Sequence, residues 1–336
     1  MTTAWWTFPS GAQLASGAVK LLITGGAGFI GSNYVRWVLS RRDDAVTVYD
    51  ALTYAGNLAT LRDVESRGGD RYRFVPADIC DLEALEEALV GHDAVVHFAA
   101  ESHVDRSIAG PADFAMTNCV GTNTVMQAAR RVGVGRVVHI STDEVYGSVE
   151  KGSSVETDRL DPRSPYSASK AGSDLIALSY YSTYGLPVTV TRSSNNFGPW
   201  QYPEKIVPLF VTNLLDGKNV PLYGDGLNQR DWLFVEDNCA AVDLVLRSGL
   251  PGEIYNIGAG HELPNRELTD KLLSLAGAGP DRIDYVTDRL GHDRRYSVSS
   301  DKMRAMGWRP EHDLDEALEM TFSWYRDNRW WWEPLK

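Results

Sequence analysis

Residues 141–147 read Ser-Thr-Asp-Glu-Val-Tyr-Gly, and Tyr166 and Lys170 follow as a Tyr-x-x-x-Lys pair. Asp143 and Glu144 stand side by side behind the apolar run Val137-Val138-His139-Ile140. Adjacent carboxyl groups suit a reaction in which one group gives a proton while the other takes one. In a water-poor pocket, ionising one raises the pKa of the other, so opposite protonation states are expected. Tyr166 and Lys170 lie four apart, which puts both side chains on one face of a helix. There the ammonium is expected to lower the pKa of the phenol and make Tyr166 a base for an alcohol or sugar hydroxyl. The plain alternative for the carboxylate pair is a solvated acidic turn. The surrounding residues argue against it.

Lys20-Leu21-Leu22-Ile23-Thr24 is an apolar run of strand length that enters Gly25-Gly26-Ala27-Gly28-Phe29-Ile30-Gly31 and then a segment of helical periodicity. Glycines 25, 28 and 31 are what a strand-to-helix turn needs where backbone approaches a pyrophosphate: a tight turn, a cleared path for the ligand and close packing of helix on strand. A second strand, Ala45-Val46-Thr47-Val48-Tyr49, ends at Asp50. A carboxylate there accepts from both ribose hydroxyls and repels a 2′-phosphate, which favours NAD over NADP. An ordinary glycine turn with a capping Asp would also contain these residues, but strand, glycines, helix and acid in this order point to a dinucleotide site.

The elements that must position these groups alternate. Further strand-like runs at 72–75, 94–98 and 136–140 are separated by helical patterns, one behind Asp81 with Leu82, Leu85 and Leu89 on a stripe and one across about 112–132. Regular βαβ alternation predicts an α/β fold: a Rossmann-type doubly wound parallel sheet with ligands beyond the carboxyl ends of the strands. From about residue 195 prolines 203, 208 and 221 loosen the pattern. The expected division is an N-terminal extension over 1–19, a mainly NAD-binding domain over 20–194, and a smaller mixed α/β lobe over 195–336, which the family resemblance given below implies is sugar-nucleotide-binding, with the chain crossing between lobes.

At 336 residues, 43% hydrophobic and 23% charged, the chain has the composition of a globular enzyme with a sizeable core. A net charge of −12 argues against nucleic-acid and anionic-membrane surfaces and requires that any anion site be locally basic. Cys80, Cys119 and Cys239 are scattered without metal-ligand spacing, so no metal is expected and cytoplasmic thiols are the expected reading. No apolar run reaches membrane-span length, and residues 1–19 do not read as a signal peptide; Trp5, Trp6 and Phe8 would either pack on the body or stay mobile.

From Lys20 to the C-terminus the chain closely resembles the dTDP-glucose 4,6-dehydratases of the extended short-chain dehydrogenase/reductase superfamily. The resemblance rests on Thr24–Gly31, Asp50 with the following Leu-Thr-Tyr-Ala-Gly-Asn, Ala-Ala-Glu-Ser-His-Val-Asp-Arg-Ser at 99–107, Ser141–Gly147, and Ser-Pro-Tyr-Ser-Ala-Ser-Lys at 164–170. Asn195-Asn196, Pro-Glu-Lys at 203–205, Leu-Tyr-Gly-Asp-Gly at 222–226 and Gly-His-Asp-Arg-Arg-Tyr at 291–296 extend it. The resemblance implies that Tyr166 takes the C4 hydroxyl proton as hydride passes to bound NAD, Glu144 removes the C5 proton, protonated Asp143 donates to the departing C6 hydroxyl, and hydride returns to C6. Thr142 would bond the C4 oxygen, and Lys170 would hold the nicotinamide ribose and tune Tyr166. NAD contacts are expected from Gly25, Gly28, Phe29, Ile30, Gly31, Asp50, Thr53, Asp78, Ile79, Ala99, Ala100, Ser102, Thr117 and Asn196, besides Tyr166 and Lys170. Substrate contacts are expected from Ser102, Thr142, Asn195, Lys205, Tyr223, Arg230, Asn265, His292 and Tyr296.

Bidentate recognition of phosphate gives Arg230 a physical reason of its own, although a surface ion pair would also use an arginine and His292 could be a plain loop histidine. Thr-Asp-Glu distinguishes the chain from 4-epimerases, which lack an acid and base here, and from dehydratases of other nucleotide sugars, which read Thr-Ser-Glu. Phe197 and Trp200 depart from the tyrosines common in relatives. The competing readings are a UDP-sugar dehydratase or 4-epimerase, and a sugar-nucleotide-binding protein that does no chemistry. Apolar faces on the helix after Tyr166 (Leu175, Ile176, Leu178, Tyr181) and on that near 112–132 suit either a homodimer interface or internal core. Trp330-Trp331-Trp332 is expected to fasten the last helix to the body.

Overall fold

The computed structural model describes residue 14 and residues 17–336; Trp5, Trp6 and Phe8 lie outside the described residues. The strand-length runs of the first half form parallel strands, each followed by helix. In chain order these are β1 (Lys20–Thr24), α1 (Phe29–Arg41), β2 (Ala45–Asp50), α2 (Arg62–Gly68), β3 (Tyr72–Pro76), α3 (Leu82–Leu89), β4 (Ala94–His97), α4 (Val104–Ala109), α5 (Pro111–Phe114), α6 (Thr122–Val132), β5 (Arg136–Thr142), α7 (Pro165–Tyr184) and β6 (Val188–Ser193). Asp81 caps α3 by accepting from Ala84 N, and Ser164 and Ser167 form a reciprocal capping box with Pro165 as the first residue of α7.

The helix expected over about 112–132 has a π-helical middle, Ala115–Gly121, between α5 and α6. The widened turn aims Asn118 inward. Its side chain accepts from Glu101 N (2.9 Å) and donates to Glu101 O (3.0 Å) and Ser169 Oγ (2.8 Å), pinning the loop after β4 to α7. Such widened turns gather at functional sites.

The second half contains β7 (Asn195–Phe197), α8 (Ile206–Leu215), β8 (Val220–Tyr223), β9 (Gln229–Phe234), α9 (Val235–Ser248), β10 (Ile254–Ile257), β11 (Glu262–Pro264), α10 (Asn265–Leu275), β12 (Ile283–Val286), α11 (Asp301–Ala305), α12 (Leu314–Asp327) and α13 (Arg329–Trp332). The large sheet has the order β3-β2-β1-β4-β5-β6-β10, and every pairing is parallel. The order reverses between β1 and β4, so the loops leaving these strands diverge and open a crevice at their carboxyl ends. Beyond the expected division at residue 194, α9 packs on α1, β10 completes the sheet, and Met303 and Trp308 join the same core. A three-stranded sheet (β11-β9-β7) and the β12–β8 pair surround a separate core of Phe197, Phe210, Leu222, Trp232, Leu318 and Tyr325. Of the terminal tryptophans, Trp331 and Trp332 are buried and Trp330 is 48% exposed. Trp331 Nε1 donates to Thr60 Oγ1 at 3.0 Å, so the last helix fastens to the large unit through one indole.

Candidate active site

Two adjoining cavities lie at the carboxyl edge of the large sheet. The first is floored by the glycine turn. Gly25 has φ +69°, and a Cβ there would sit 2.5 Å from Ala99 N; at Gly31 a Cβ would strike the Gly25 carbonyl. Gly28 supplies no side-chain cap to α1, which leaves the first amides of the helix free for an anion. Asp50 ends β2 and is held on both sides, Oδ2 accepting from Ala27 N (2.9 Å) and Oδ1 from Leu52 N (2.8 Å). Thr53, Asp78, Ile79, Ala99, Ala100, Ser102, Thr117, Tyr166 and Lys170 complete the wall with Phe29 and Ile30. An anion-ready helix start beside a buried acid at the end of the next strand fits a dinucleotide. Gly25→Ala is expected to abolish retention of the cofactor and to lower Tm, read as nucleotide content after gel filtration and by thermal melting, since the new methyl meets backbone that cannot yield.

The second cavity holds the carboxylates. β5 delivers Thr142 at its end, and Asp143–Tyr146 turn away in a short 3₁₀ helix. Thr142 Oγ1 accepts from Glu144 N and donates to Asp143 Oδ1, both at 3.2 Å, which fixes the two acids relative to the strand. Thr142, Asp143, Glu144 and Tyr166 line one space with Asn195 and Asn196. Asp143 is 2% exposed, and burial, then Glu144, then Asp231 hold its carboxyl well above the usual range. Asp143 Oδ2 and Glu144 Oε2 are buried without a partner, as groups awaiting a ligand would be.

Lys170 behaves differently from the expectation that it lowers the pKa of Tyr166. Burial, followed by Glu144 and Asp143, pushes the Tyr166 phenol upward, while the Thr142 hydroxyl eases it. The Lys170 ammonium instead donates to Ile140 O at 2.7 Å, and burial brings its pKa down to about 8. Burial and the two nearby carboxylates set the phenol, while the ammonium is directed at the strand. Because the folded pKa is below the ordinary 10.5, the unfolded chain holds the proton more tightly between these values, and stability rises with pH across that window. Below about 8 the full cost of burying the ammonium remains. Lys170→Met is therefore expected to raise the Tm of the ligand-free protein at pH 7 by a few degrees, with the gap to wild type closing as pH rises toward 9 in melting experiments.

The far end of this cavity is basic. Lys205 Nζ donates to Ser102 O (2.8 Å), and Tyr223 OH donates to Asp105 Oδ2 (3.1 Å). His292 packs edge-on against Tyr223, and burial, then Arg289, hold its pKa down to about 4, so it is neutral at pH 7. Arg230 and Asn265 face the same space. Two expected residues sit elsewhere. Asn196 lines this cavity and not the dinucleotide one. Tyr296 lies behind Arg230, whose guanidinium is 4.2 Å from its ring centroid, and its hydroxyl donates to Asp293 Oδ2 at 2.8 Å. In the second case the Tyr296 backbone bonds back to β9, the strand carrying Arg230, through Gln229 O. Arg289, with Nε buried and unpartnered, and Asp231, whose charge bears on Asp143, belong to no motif that the sequence shows. The need for local cations in an acidic chain was the available signal for Arg289.

A family profile described as GDP-mannose 4,6 dehydratase matches residues 22–321. A dTDP-glucose 4,6-dehydratase of Streptomyces antibioticus is 56% identical over 325 residues, covering 95% of this chain and 96% of the relative. The crystal structure of DesIV, a dTDP-glucose 4,6-dehydratase from Streptomyces venezuelae with NAD and TYD bound, superposes with a TM-score of 0.92 at 56% identity, covering 94% of this chain and 100% of that one. A Thermus thermophilus UDP-glucose 4-epimerase in complex with NAD follows at a TM-score of 0.85 and 33% identity, covering 92% and 99%. The sheet order, the paired cavities and these likenesses agree: this chain belongs to the dTDP-glucose 4,6-dehydratase family of the extended short-chain dehydrogenase/reductases.

Proposed function

We propose that this protein is an NAD-dependent hydro-lyase that converts dTDP-glucose to dTDP-4-keto-6-deoxyglucose and water, with its chemistry carried by Thr142, Asp143, Glu144 and Tyr166. The observation that supports this most directly is the pair of neighbouring carboxyls in one cavity, Asp143 buried and pushed toward its acid form beside Glu144. Bound NAD supplies a reversible hydride acceptor. Thr142 bonds the C4 oxygen; Tyr166, whose phenolate the positive charge of bound NAD would favour against the upward push of the empty site, removes the C4 hydroxyl proton; Glu144 removes the C5 proton once C4 is a ketone, and Asp143 gives its proton to the C6 hydroxyl as it leaves. An epimerase would have no use for Glu144 and Asp143.

In this reading residues 20–194 with the returning segments 235–257 and 301–308 form the NAD-binding domain, and the remainder of 195–336 forms the sugar-nucleotide lobe. Asn195, Lys205, Tyr223, Arg230, Asn265 and His292 hold the nucleotide sugar, with Ser102 between the two ligands. The protein works as a cytoplasmic homodimer. Support for the dimer comes from α7, where Leu175 is 62% exposed and Tyr181 and Tyr184 are also exposed, beside exposed Met116 and Val120 of the π-helical stretch packed against it. Support for the compartment comes from three free thiols. Among the described residues no helix is long and apolar enough to cross a membrane. Incubation with dTDP-glucose followed by mass spectrometry tests the activity: loss of one water that disappears in the D143N/E144Q protein is expected. An unchanged mass would overturn the substrate assignment, and parallel UDP- and GDP-sugars would then separate another specificity from a binder without chemistry.

A further inference from the structure

The segment Pro199–Lys205 passes between the two cavities, and it is anchored on both sides. Trp200 has a left-handed backbone (φ 69°), an unfavourable conformation for a bulky residue that persists only where its surroundings hold it. Here the holders are aromatic and cationic: Trp324 and Trp331 lie 4.6 and 5.5 Å from the Trp200 ring, and the Arg36 guanidinium lies 4.2 Å over it. Tyr325 OH donates to Gln201 O, and Tyr202 OH donates to Leu335 O. The outer side of the segment is thus bolted to α12 and the C-terminus.

Its inner side faces the dinucleotide cavity. Gln201, Tyr202, Glu204 and Lys205, all from beyond residue 194, form part of a wall otherwise built by the large unit. From the loop leaving β2, Tyr54 OH donates to Glu204 Oε1 at 3.0 Å. Tyr54 stands four residues after Asp50 in the loop leaving β2, with the Arg106 guanidinium 3.5 Å from its ring centroid and Tyr202 packed edge-on at 5.6 Å. His103 Nε2 lies 3.9 Å from Glu204 Oε2 on the third side. Loops from β2 and β4 therefore meet the strap at one carboxylate, Glu204, which itself lines the dinucleotide cavity.

We propose that the Tyr54–Glu204 hydrogen bond is a latch that closes the Pro199–Lys205 strap over bound NAD and slows its release between turnovers. The inference rests on the reading that this cavity holds NAD. Glu204 lines both cavities and Tyr54 neither, and no step of the reaction is assigned to either, so they are positioning residues. The reaction explains why a latch is useful: hydride leaves C4 and returns to C6 of the same molecule, so the cofactor ends each cycle unchanged and release gains nothing.

The test is the rate at which excess NAD displaces bound etheno-NAD from the purified full chain, followed by fluorescence. Tyr54→Phe and Glu204→Met each remove the bond and are expected to speed release about tenfold. The double variant is expected to release no faster than either single one, because both changes break the same contact. Glu204→Gln keeps an acceptor and is expected to stay within a few-fold of wild type. Wild-type release rates in both single variants, or effects that multiply in the double one, would overturn the latch. A wild-type protein that takes up no etheno-NAD or NAD would instead overturn the cofactor reading beneath it.

Discussion

Asp143→Asn is expected to slow water loss from dTDP-glucose by about 10²–10⁴-fold while hydrogen exchange at C5 continues. Asp143 is buried at the end of β5, and its carboxyl is raised by burial, by Glu144 and by Asp231 against the opposing influence of Arg230 and Thr142. It therefore enters the cycle holding a proton, and that proton is what the departing C6 hydroxyl needs. Asparagine matches the shape and can accept from Thr142 Oγ1 as Asp143 does, yet it has no proton to transfer. Tyr166 and Glu144 are untouched, so oxidation at C4 and removal of the C5 proton proceed. In D2O the recovered substrate should gain one mass unit while little product forms, and Glu144→Gln should lose both signals. Stability gives an independent reading. A raised folded pKa means that the contribution of Asp143 is full below the ordinary carboxylate range and is lost as pH climbs toward the raised value. Asparagine has no such dependence, so the Tm of the variant should gain on wild type as pH rises. Near wild-type dehydration in D143N would remove Asp143 as the acid.

The parts of the site that could be read from the sequence are those whose chemistry is local. In a parallel sheet each strand delivers its last residues to the same edge, so the glycine turn, Asp50, Ala99-Ala100 and Thr142-Asp143-Glu144 converge once the strands are recognised. Spacing puts Lys170 on the helix face of Tyr166 but says nothing about the Ile140 carbonyl or about the two acids opposite the phenol, so the effect of the ammonium is not legible from it. What was not legible depends on segments far apart in sequence. Tyr54 and Glu204 are separated by 150 residues, and Trp331 reaches Thr60 across 271. The buried Asp174 carboxylate on α7 joins Arg192 Nε (2.9 Å) on β6 to His139 (3.3 Å) on β5, and Arg192 passes the contact on to Tyr146 OH (2.8 Å). Each of these residues has an ordinary periodicity in its own element, and only packing reveals the network. Asn118 is a related case, since the π-helical turn that aims it inward has no local signature among helix-forming neighbours.

Arg230→Met is expected to lower kcat/KM for the nucleotide sugar by about 10²-fold or more, chiefly through KM, while the ligand-free protein melts no lower than wild type. The guanidinium is 4% exposed. It donates to Gln229 O (2.6 Å) and Asp293 O (2.9 Å) and lies over the Tyr296 ring, but among the described residues no carboxylate comes within ion-pair distance of it. A buried cation without a counter-ion is costly, and burial accordingly weakens the hold of Arg230 on its proton. The cost is accepted where a ligand brings the missing charge, and a diphosphate presents oxygens that match the guanidinium fork. Methionine keeps a long apolar stem and removes the charge, so the empty protein loses a liability and the complex loses its anchor. Lysine at the same position keeps the charge without the fork and should fall between the two. Calorimetric titration with dTDP separates binding from chemistry: wild-type affinity in R230M would move the diphosphate to Lys205 and Arg289. Weakened binding with an unchanged kcat at saturation would show that Arg230 holds the substrate and that the carboxylate pair does the chemistry without it.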